Sequence, residues 1–197
     1  MRTLLLLAFA SCSLFAEPTS YRIDPNHSAA SFAVKHMMVS TVRGTMGKIT
    51  GTVVYDTADV SKSTVTAEID ATGINTQNEN RDKHLKSPDF FDIEKFPKMT
   101  FQSTKVWKAG AALKMAGNLT MHGVTKEVVF DVDGPAADIA GQGGSKRSGA
   151  SATAKINRKD FGLTWNRALE AGGVTVGDEV SITLDVEMMS GGGAQKK

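Results

Sequence analysis

The chain contains one cysteine, Cys12, so the residues after it cannot form a disulfide, a thiolate nucleophile or a cysteine-ligated metal site. After residue 16 no apolar segment approaches the roughly 20 residues that a transmembrane helix requires. The 23 basic and 21 acidic residues nearly balance and form no basic stripe of the kind that binds nucleic acid or anionic membranes. These absences predict one water-soluble domain of about 180 residues.

The first 16 residues have the pattern of an export signal. A short basic start over 1–3 is followed by an apolar stretch over 4–10, with cleavage predicted after Ala16. A signal peptide over 1–16 predicts a periplasmic or secreted protein, outside the ATP and NAD pools of the cytoplasm. The alternative interpretation makes Cys12 a lipid-modified N-terminus.

Apolar and polar residues alternate with period two along most of the remaining sequence. The clearest case places Val180, Ile182, Leu184, Val186 and Met188 on one face, which is typical of an antiparallel strand with one dry side. Eight strands joined by short turns indicate an antiparallel barrel or sandwich, and the long second strand with its three glycines favours a curved barrel. The predicted strands are 28–36, 42–55, 63–72, 98–107, 112–121, 126–133, 149–157 and 178–189.

A helical insert interrupts the alternation between two strands. Thr76 and Glu79 have the spacing of a capping box, which predicts a short helix over about 77–86. Ser87-Pro88 then predicts a second helical start, with proline at the first helical position. Such pieces could cover one end of a barrel.

The other irregular segments are loops and a tail. Residues 134–148 are rich in small residues and are predicted to form a mobile hairpin loop, while 158–177 form a longer connection. We expect residues 191–197 to be a disordered tail, so the barrel domain spans 17–190.

The side chains expected inside the barrel are small or pliable. Small residues leave space, and methionine adapts to irregular apolar shapes. One interpretation is therefore an elongated apolar cavity, and the other is a core filled by aromatic side chains from the facing wall. The residues in question are Ala30, Ala67, Ala71, Gly117, Ala150, Ala152 and Ala154, with Met46, Met99, Met115, Met121 and Met188.

Four motifs in order identify a resemblance that covers about residues 21–188. The chain resembles the YceI-like proteins, also called the polyisoprenoid-binding or extended-lipocalin family. One mild departure is Gly44-Thr45-Met46, where the family commonly has an aromatic residue. The motifs are 21–28 (YRIDPNHS) with 32–36 (FAVKH), 81–92 (RDKHLKSPDFFD) with 96–97 and 101–103, 117–125 (GNLTMHGVT), and 158–163 (RKDFGL) with 176–180 (VGDEV).

The resemblance implies an all-β, eight-stranded antiparallel lipocalin-like barrel with a short helical insert. It also implies a periplasmic or secreted location and an interior channel for a polyisoprenoid or another long-chain lipid. It supplies no catalytic residues and no required cofactor, and because family members often pair, a homodimer is an open alternative. The residues expected at the wall or mouth are Phe32, Val34, His36, Met46, Leu85, Phe90, Phe91, Phe101, Met115, Ala152, Phe161 and Trp165.

Charged and imidazole side chains near the insert allow two interpretations. Arg81 and His84 could contact a phosphate-bearing headgroup, or Arg81 and Asp82 could tie the helix to neighbouring loops. None of the four histidines has a partner at the spacing that helical metal sites use, so no metal site is predicted.

Three functions are compatible with the sequence. The first is an exported binder or carrier of a long-chain isoprenoid or related amphiphilic lipid, which needs no enzyme activity. The second is an enzyme or stress-response protein that acts on or protects such lipids, which needs a convergent cluster of titratable groups. The third is a filled barrel without ligand.

Overall fold

The period-two segments form strands in the computed structural model, which describes residues 17–170 and 172–191. The export signal predicted over 1–16 and nearly all of the predicted tail lie outside these residues. The helix α1 spans Glu79–Lys86, and 3-10 turns occupy Val60–Lys62, Gln142–Gly144 and Arg158–Phe161. The strands are β1 Thr19–Ile23, β2 Ala29–His36, β3 Ser40–Thr45, β4 Ile49–Tyr55, β5 Thr64–Asp70, β6 Lys98–Ala109, β7 Ala112–Met121, β8 Val124–Asp133, β9 Ile139–Ala140, β10 Lys146–Asn157 and β11 Val176–Ser190.

The strands close into an antiparallel barrel with eight positions, which confirms the predicted fold class. The short strands β1 and β2 follow each other along the same edge of β11, and β3 and β4 follow each other beside them. From there the order is β5, β6, β7, β8, β10 and back to β11. The closing pair β10–β11 runs from Lys146↔Ser190 to Asn157↔Glu179, so closure leaves no free edge along most of the wall.

The predicted strand over 42–55 is two strands, because the backbone leaves the ladder at Met46–Lys48. Met46 N–H donates to the carbonyl of Ala30 at 2.9 Å, and Gly47 N–H donates to the carbonyl of Asp70 at 2.8 Å. A Cβ at Gly47 would lie 2.7 Å from that Asp70 carbonyl oxygen, so only glycine permits this approach.

The helical insert is shorter than predicted. Asn78, not Thr76, caps α1, and its side chain accepts from Arg81 N–H at 3.0 Å. The Thr76 hydroxyl is occupied instead by Asp82 and by Arg81. The helical start predicted at Ser87-Pro88 is a series of turns, in which the N–H groups of Phe90 and Asp92 both donate to the carbonyl of Ser87 at 3.0 Å.

The two ends of the barrel differ. At one end, called the mouth here, α1 and its following turns meet the β2–β3 hairpin, the β7–β8 turn and the loop over 162–175. The far end carries the β4–β5, β6–β7 and β8–β10 connections, and β9 lies on the last of these. In the described parts of the chain, no helix is long and apolar enough to span a membrane.

Candidate functional site

A cavity of about 240 Å³ runs inside the barrel. Leu85, Phe91 and Val176 line it at the mouth, and Tyr55 and Leu113 line it near the far end. Along β11 every second residue from Val180 to Met188 faces it. Eight steps of about 3.3 Å, on a strand tilted by about 40°, give a length of about 20 Å. The cavity is therefore long and narrow.

Small side chains leave this space open. Ala30, Ala67, Ala150 and Ala152 line the cavity, as do all five methionines predicted to point inward. The alternative of an aromatic-filled core applies only locally. At Gly117 an added Cβ would lie 2.3 Å from the ring of Phe101, which itself packs edge-on against Phe130 at 5.4 Å.

The wall is almost entirely apolar. Of the lining residues, only Ser31, Tyr55, Ser63 and Arg158 carry a side-chain nitrogen or oxygen. The Ser63 hydroxyl accepts from Asp56 N–H at 3.0 Å, and the Arg158 guanidinium is bonded to backbone carbonyls. The cavity lining therefore holds no convergent pair of acid and base, and its chemistry favours enclosing an apolar chain.

Nine of the twelve predicted wall or mouth residues line the cavity, and three lie outside it. His36 is half-buried at the end of β2, opposite Val176. Phe161 is 1% exposed and packs in the hydrophobic core, and Trp165 is half-buried and packs against His84 and Phe90 of the insert. The nine are Phe32, Val34, Met46, Leu85, Phe90, Phe91, Phe101, Met115 and Ala152.

Three rings join the insert to the loop at the mouth. His84 packs edge-on against Phe90 at 5.0 Å and against Trp165 at 4.8 Å between ring centroids. His84 Nε2 also lies 2.9 Å from a carboxylate oxygen of Asp89. The aromatic contacts hold α1 and the following turns over the cavity.

Arg81 ties the helix to the preceding loop. Its Nε donates to the Thr76 hydroxyl at 2.7 Å, and its Nη2 donates to the Thr76 carbonyl at 2.8 Å. Asp82 accepts from the Thr76 N–H at 2.8 Å. These contacts favour the structural interpretation of Arg81 and Asp82 over a headgroup contact.

Arg158 holds the loop at the mouth. Its side chain is 4% exposed, and it donates to the carbonyls of Gly177 at 2.9 Å and Val176 at 3.3 Å and to that of Leu163. Burial lowers the pKa of the guanidinium, and Asp178 at 3.4 Å partly opposes that shift. One side chain therefore joins both ends of the loop over 162–175.

A polar cluster on the outside of the wall covers the break between β1 and β2. His27 Nδ1 lies 2.8 Å from the Asp24 carboxylate, and Arg147 pairs with Asp24 at 3.2 Å and with Glu187. The hydrogen bonds from His27 and from the backbone N–H of Asn26 lower the pKa of Asp24 to about 2. The hydrogen bond with Asp24 raises the pKa of His27.

This cluster also has the composition of a metal site, which the spacing of helical metal sites does not reveal. Ligand atoms of Asp24, His27 and Glu187 lie within 4.8 Å of one another. They come from a loop and from a distant strand, so no local spacing shows them. Arg147 pairs with both carboxylates and His27 hydrogen-bonds to Asp24, so contacts within the cluster account for it as an ion-pair network that joins β10 and β11 to the β1–β2 loop.

The ion pairs and hydrogen bonds of this cluster predict that acid destabilises the protein. The pKa of Asp24 is lower in the folded protein than its ordinary 3.8, so its stabilisation is complete above that pH and is lost as the pH falls towards 2. We expect this carboxylate to account for roughly 1–2 kcal/mol of the unfolding free energy lost over that interval. Urea unfolding at a series of pH values should show a shallower acid slope for Asp24→Asn.

The matched control for this variant is Asp133→Asn, which removes an exposed carboxylate at the end of β8. Equal acid slopes for the wild type and Asp24→Asn would contradict this stabilising role of Asp24.

His27 predicts a loss of stability at higher pH. Because its pKa is raised in the folded protein, its contribution to stability is complete below pH 6.5 and declines as the pH rises through the pKa of the folded state.

Several lining residues were absent from the sequence-based site. Leu119 and Ile156 lie on predicted strands, where their inward parity would have found them. Val106 also lines the cavity, but its parity is opposite to that of Phe101 because the β6–β7 register shifts between Ser103 and Lys105. Pro135 lies in the segment that was predicted as a loop, and no pattern marks it as a wall residue. The site is therefore larger than the motif residues alone indicate.

A family model and several relatives match most of the chain. The family described as YceI-like domain matches residues 21–188. A UPF0312 protein of Staphylococcus aureus strain MSSA476 is 40% identical over 169 residues, which cover 86% of this chain and 96% of that protein. The corresponding protein of strain N315 is 39% identical over the same shares.

Solved structures share the fold. A YCEI protein of Campylobacter jejuni is 30% identical with a TM-score of 0.66, over 80% of this chain and 90% of that one. BcnA of Burkholderia cenocepacia has a TM-score of 0.70 at 21% identity, over 84% of this chain and 98% of that one. A polyisoprenoid binding domain from Saccharophagus degradans has a TM-score of 0.63 at 15% identity, over 88% and 99%.

Proposed function

The chain belongs to the YceI-like family, and on that premise we propose that it binds a long-chain lipid, in first place an isoprenoid, inside the barrel. The observation that carries the proposal is the long, narrow and apolar cavity. Its shape suits one extended chain better than a compact ligand, and its wall offers no set of groups for catalysis. We propose a binding protein that needs no cofactor.

The energetics suit a chain-shaped ligand. Each CH₂ group that leaves water for the apolar cavity contributes about 0.8 kcal/mol. A chain of about ten buried carbons therefore gains enough to offset the loss of its free motion and still bind tightly. The cavity wall is almost entirely apolar and its few polar side chains are scattered, so we place a polar headgroup at the mouth, beside α1 and the loop over 162–175.

The neighbour from Saccharophagus degradans is named a polyisoprenoid binding domain, and it supports an isoprenoid as the first ligand to test. Its fold alone is shared with this chain. The apolar stretch over 4–10 supports export, and we propose a periplasmic or secreted location for the barrel. There a free lipid would be exposed to water, and sequestration in the barrel would keep it dispersed.

The test is native mass spectrometry of protein purified from the periplasm without detergent, followed by organic extraction. We expect a discrete added mass that extracts as an isoprenoid or acyl lipid. Protein that is empty and that takes up neither octaprenol nor palmitic acid would contradict the proposal. An added mass that does not enter the organic phase would contradict the ligand class.

A further inference from the structure

The tip of the β2–β3 hairpin exposes three consecutive apolar side chains. Met37 is 43% exposed, Met38 61% and Val39 83%. In the described part of the chain only two other large hydrophobic residues are exposed, Val129 and Ile139, and each stands alone in sequence. Contiguous exposed apolar side chains on a protein of this kind indicate a contact surface.

The tip holds these methionines in a conformation that disfavours them. Met37 and Met38 have φ values of 49° and 64°, and Val39 N–H donates to the carbonyl of His36 at 3.1 Å. A tight turn with two positive φ values favours Asn-Gly, so two methionines there are costly for the fold. This costly choice of residues gives the turn an exposed apolar tip, formed by Met37, Met38 and Val39, that does not contribute to the packing of the fold.

The tip lies at the mouth of the cavity. Met37 N–H donates to the carbonyl of Thr175 at 2.8 Å, which joins the hairpin to the loop over 162–175. Val34 and Val176, immediately inside the tip, both line the cavity. The apolar tip of the hairpin and the opening of the apolar cavity are therefore at the same end of the barrel.

Three cationic residues lie near the tip, on β2, on β3 and in the loop over 162–175. Lys35 and Arg43 are diagonal neighbours on the exposed face of β2 and β3, and Arg167 accepts two hydrogen bonds from Thr175 on its backbone carbonyl. None of these three cations forms an ion pair within the described residues. Glu170 is the one carboxylate in the described part of that loop.

We propose that Met37, Met38 and Val39 dock the mouth of the barrel on an anionic lipid bilayer, from which the ligand exchanges into the cavity. The exchange of ligand rests on the proposed function, whereas docking on the bilayer does not depend on it. Apolar insertion and basic attraction together give reversible membrane binding, and methionine adapts to the irregular chain region. The basic residues come from three separate segments, so the sequence shows no basic stripe.

A bilayer fits the tip better than a second copy of the chain does. A stable protein interface takes about 20–30 residues from each partner, whereas the tip provides three exposed apolar residues. A bilayer requires no complementary shape, and insertion of a few side chains at one turn is sufficient for weak, reversible docking.

Flotation with vesicles of equal parts phosphatidylcholine and phosphatidylglycerol tests the docking. We expect Met37→Ser/Met38→Ser/Val39→Thr to weaken vesicle binding by about tenfold or more, since it removes the apolar groups that insert. The matched control Val129→Thr/Ile139→Thr removes the other exposed apolar groups and should bind as the wild type does. Lys35→Gln/Arg43→Gln should weaken binding to these vesicles and leave weak binding to pure phosphatidylcholine unchanged.

A second measurement separates docking from ligand binding. Uptake of cis-parinaric acid, a fluorescent fatty acid dispersed from ethanol without vesicles, should be the same in the wild type and the triple variant. Uptake from donor vesicles should be slower in the triple variant. Tip-dependent flotation without any uptake would leave docking standing and contradict the lipid-binding function alone.

Equal flotation of the wild type and the triple variant would overturn the docking proposal. A tip-dependent dimer in analytical ultracentrifugation, without vesicle binding, would overturn it too and would make a second copy the occupant of the tip.

Discussion

Ala152→Trp should strongly weaken the binding of a long-chain ligand while the barrel still folds. Ala152 is 9% exposed, lines the cavity and lies on β10 between Val132 on β8 and Leu184 on β11. An indole at this inward position has empty volume in front of it, so it should occupy the cavity instead of displacing the wall. The narrow cavity leaves an extended chain no way past it.

The measurement is ligand content by native mass spectrometry together with titration of cis-parinaric acid. We expect the affinity to fall by about a hundredfold or more, because most of the chain can no longer leave water. The matched control is Thr153→Trp, which places the same ring on the exposed face of the same strand. Normal binding by Ala152→Trp, with near-native unfolding, would show that the ligand does not lie in this cavity.

Arg158→Ala should destabilise the protein by about 3 kcal/mol and shorten the residence of the ligand. The substitution removes the donors that bind the carbonyls of Leu163, Val176 and Gly177, and those carbonyls lie at both ends of the loop at the mouth. Carbonyls left without partners in a buried setting account for most of the cost. The free loop should then open the mouth more often.

Urea unfolding measures the stability, and the dissociation rate of cis-parinaric acid measures the effect on the mouth. Arg158→Lys keeps the charge and loses the planar fork, so it should restore less than half of the lost stability. As a control, Lys159→Ala removes the neighbouring exposed cation that pairs with Asp178 at 2.8 Å, and it should change neither quantity appreciably. If Arg158→Ala is destabilised but releases the ligand at the wild-type rate, Arg158 stabilises the fold without controlling the opening of the mouth.

The alternation in the sequence predicted which faces of the strands point inward. Ala30, Phe32 and Val34 line the cavity as their parity requires, and the five apolar positions from Val180 to Met188 do so as well. This worked because side chains alternate strictly along a strand and a one-residue slip would expose the whole face. The motifs that resemble the YceI-like family then identified the barrel before any geometry was known.

The sequence also misled in identifiable places. Phe161 was predicted at the wall or mouth, but it lies on a 3-10 turn after β10 and packs in the hydrophobic core without lining the cavity. Thr76 has the spacing of a helix cap, but Asp82 and Arg81 take its hydroxyl, and the helix begins at Glu79. In both cases contacts distant in space, or a change of local geometry, outweighed a local pattern.

The sequence by itself determined the strand faces, the fold class and the small side chains that give the barrel an interior with space. Only the tertiary structure decided whether that space stays open, because filling depends on how a large ring such as that of Phe101 packs against Gly117 on the neighbouring strand. It also brought together Asp24, His27, Arg147 and Glu187, and placed the apolar hairpin tip at the mouth. Local patterns report period and propensity, whereas closure of a barrel joins residues more than a hundred positions apart, and that proximity exists only once the last strand pairs.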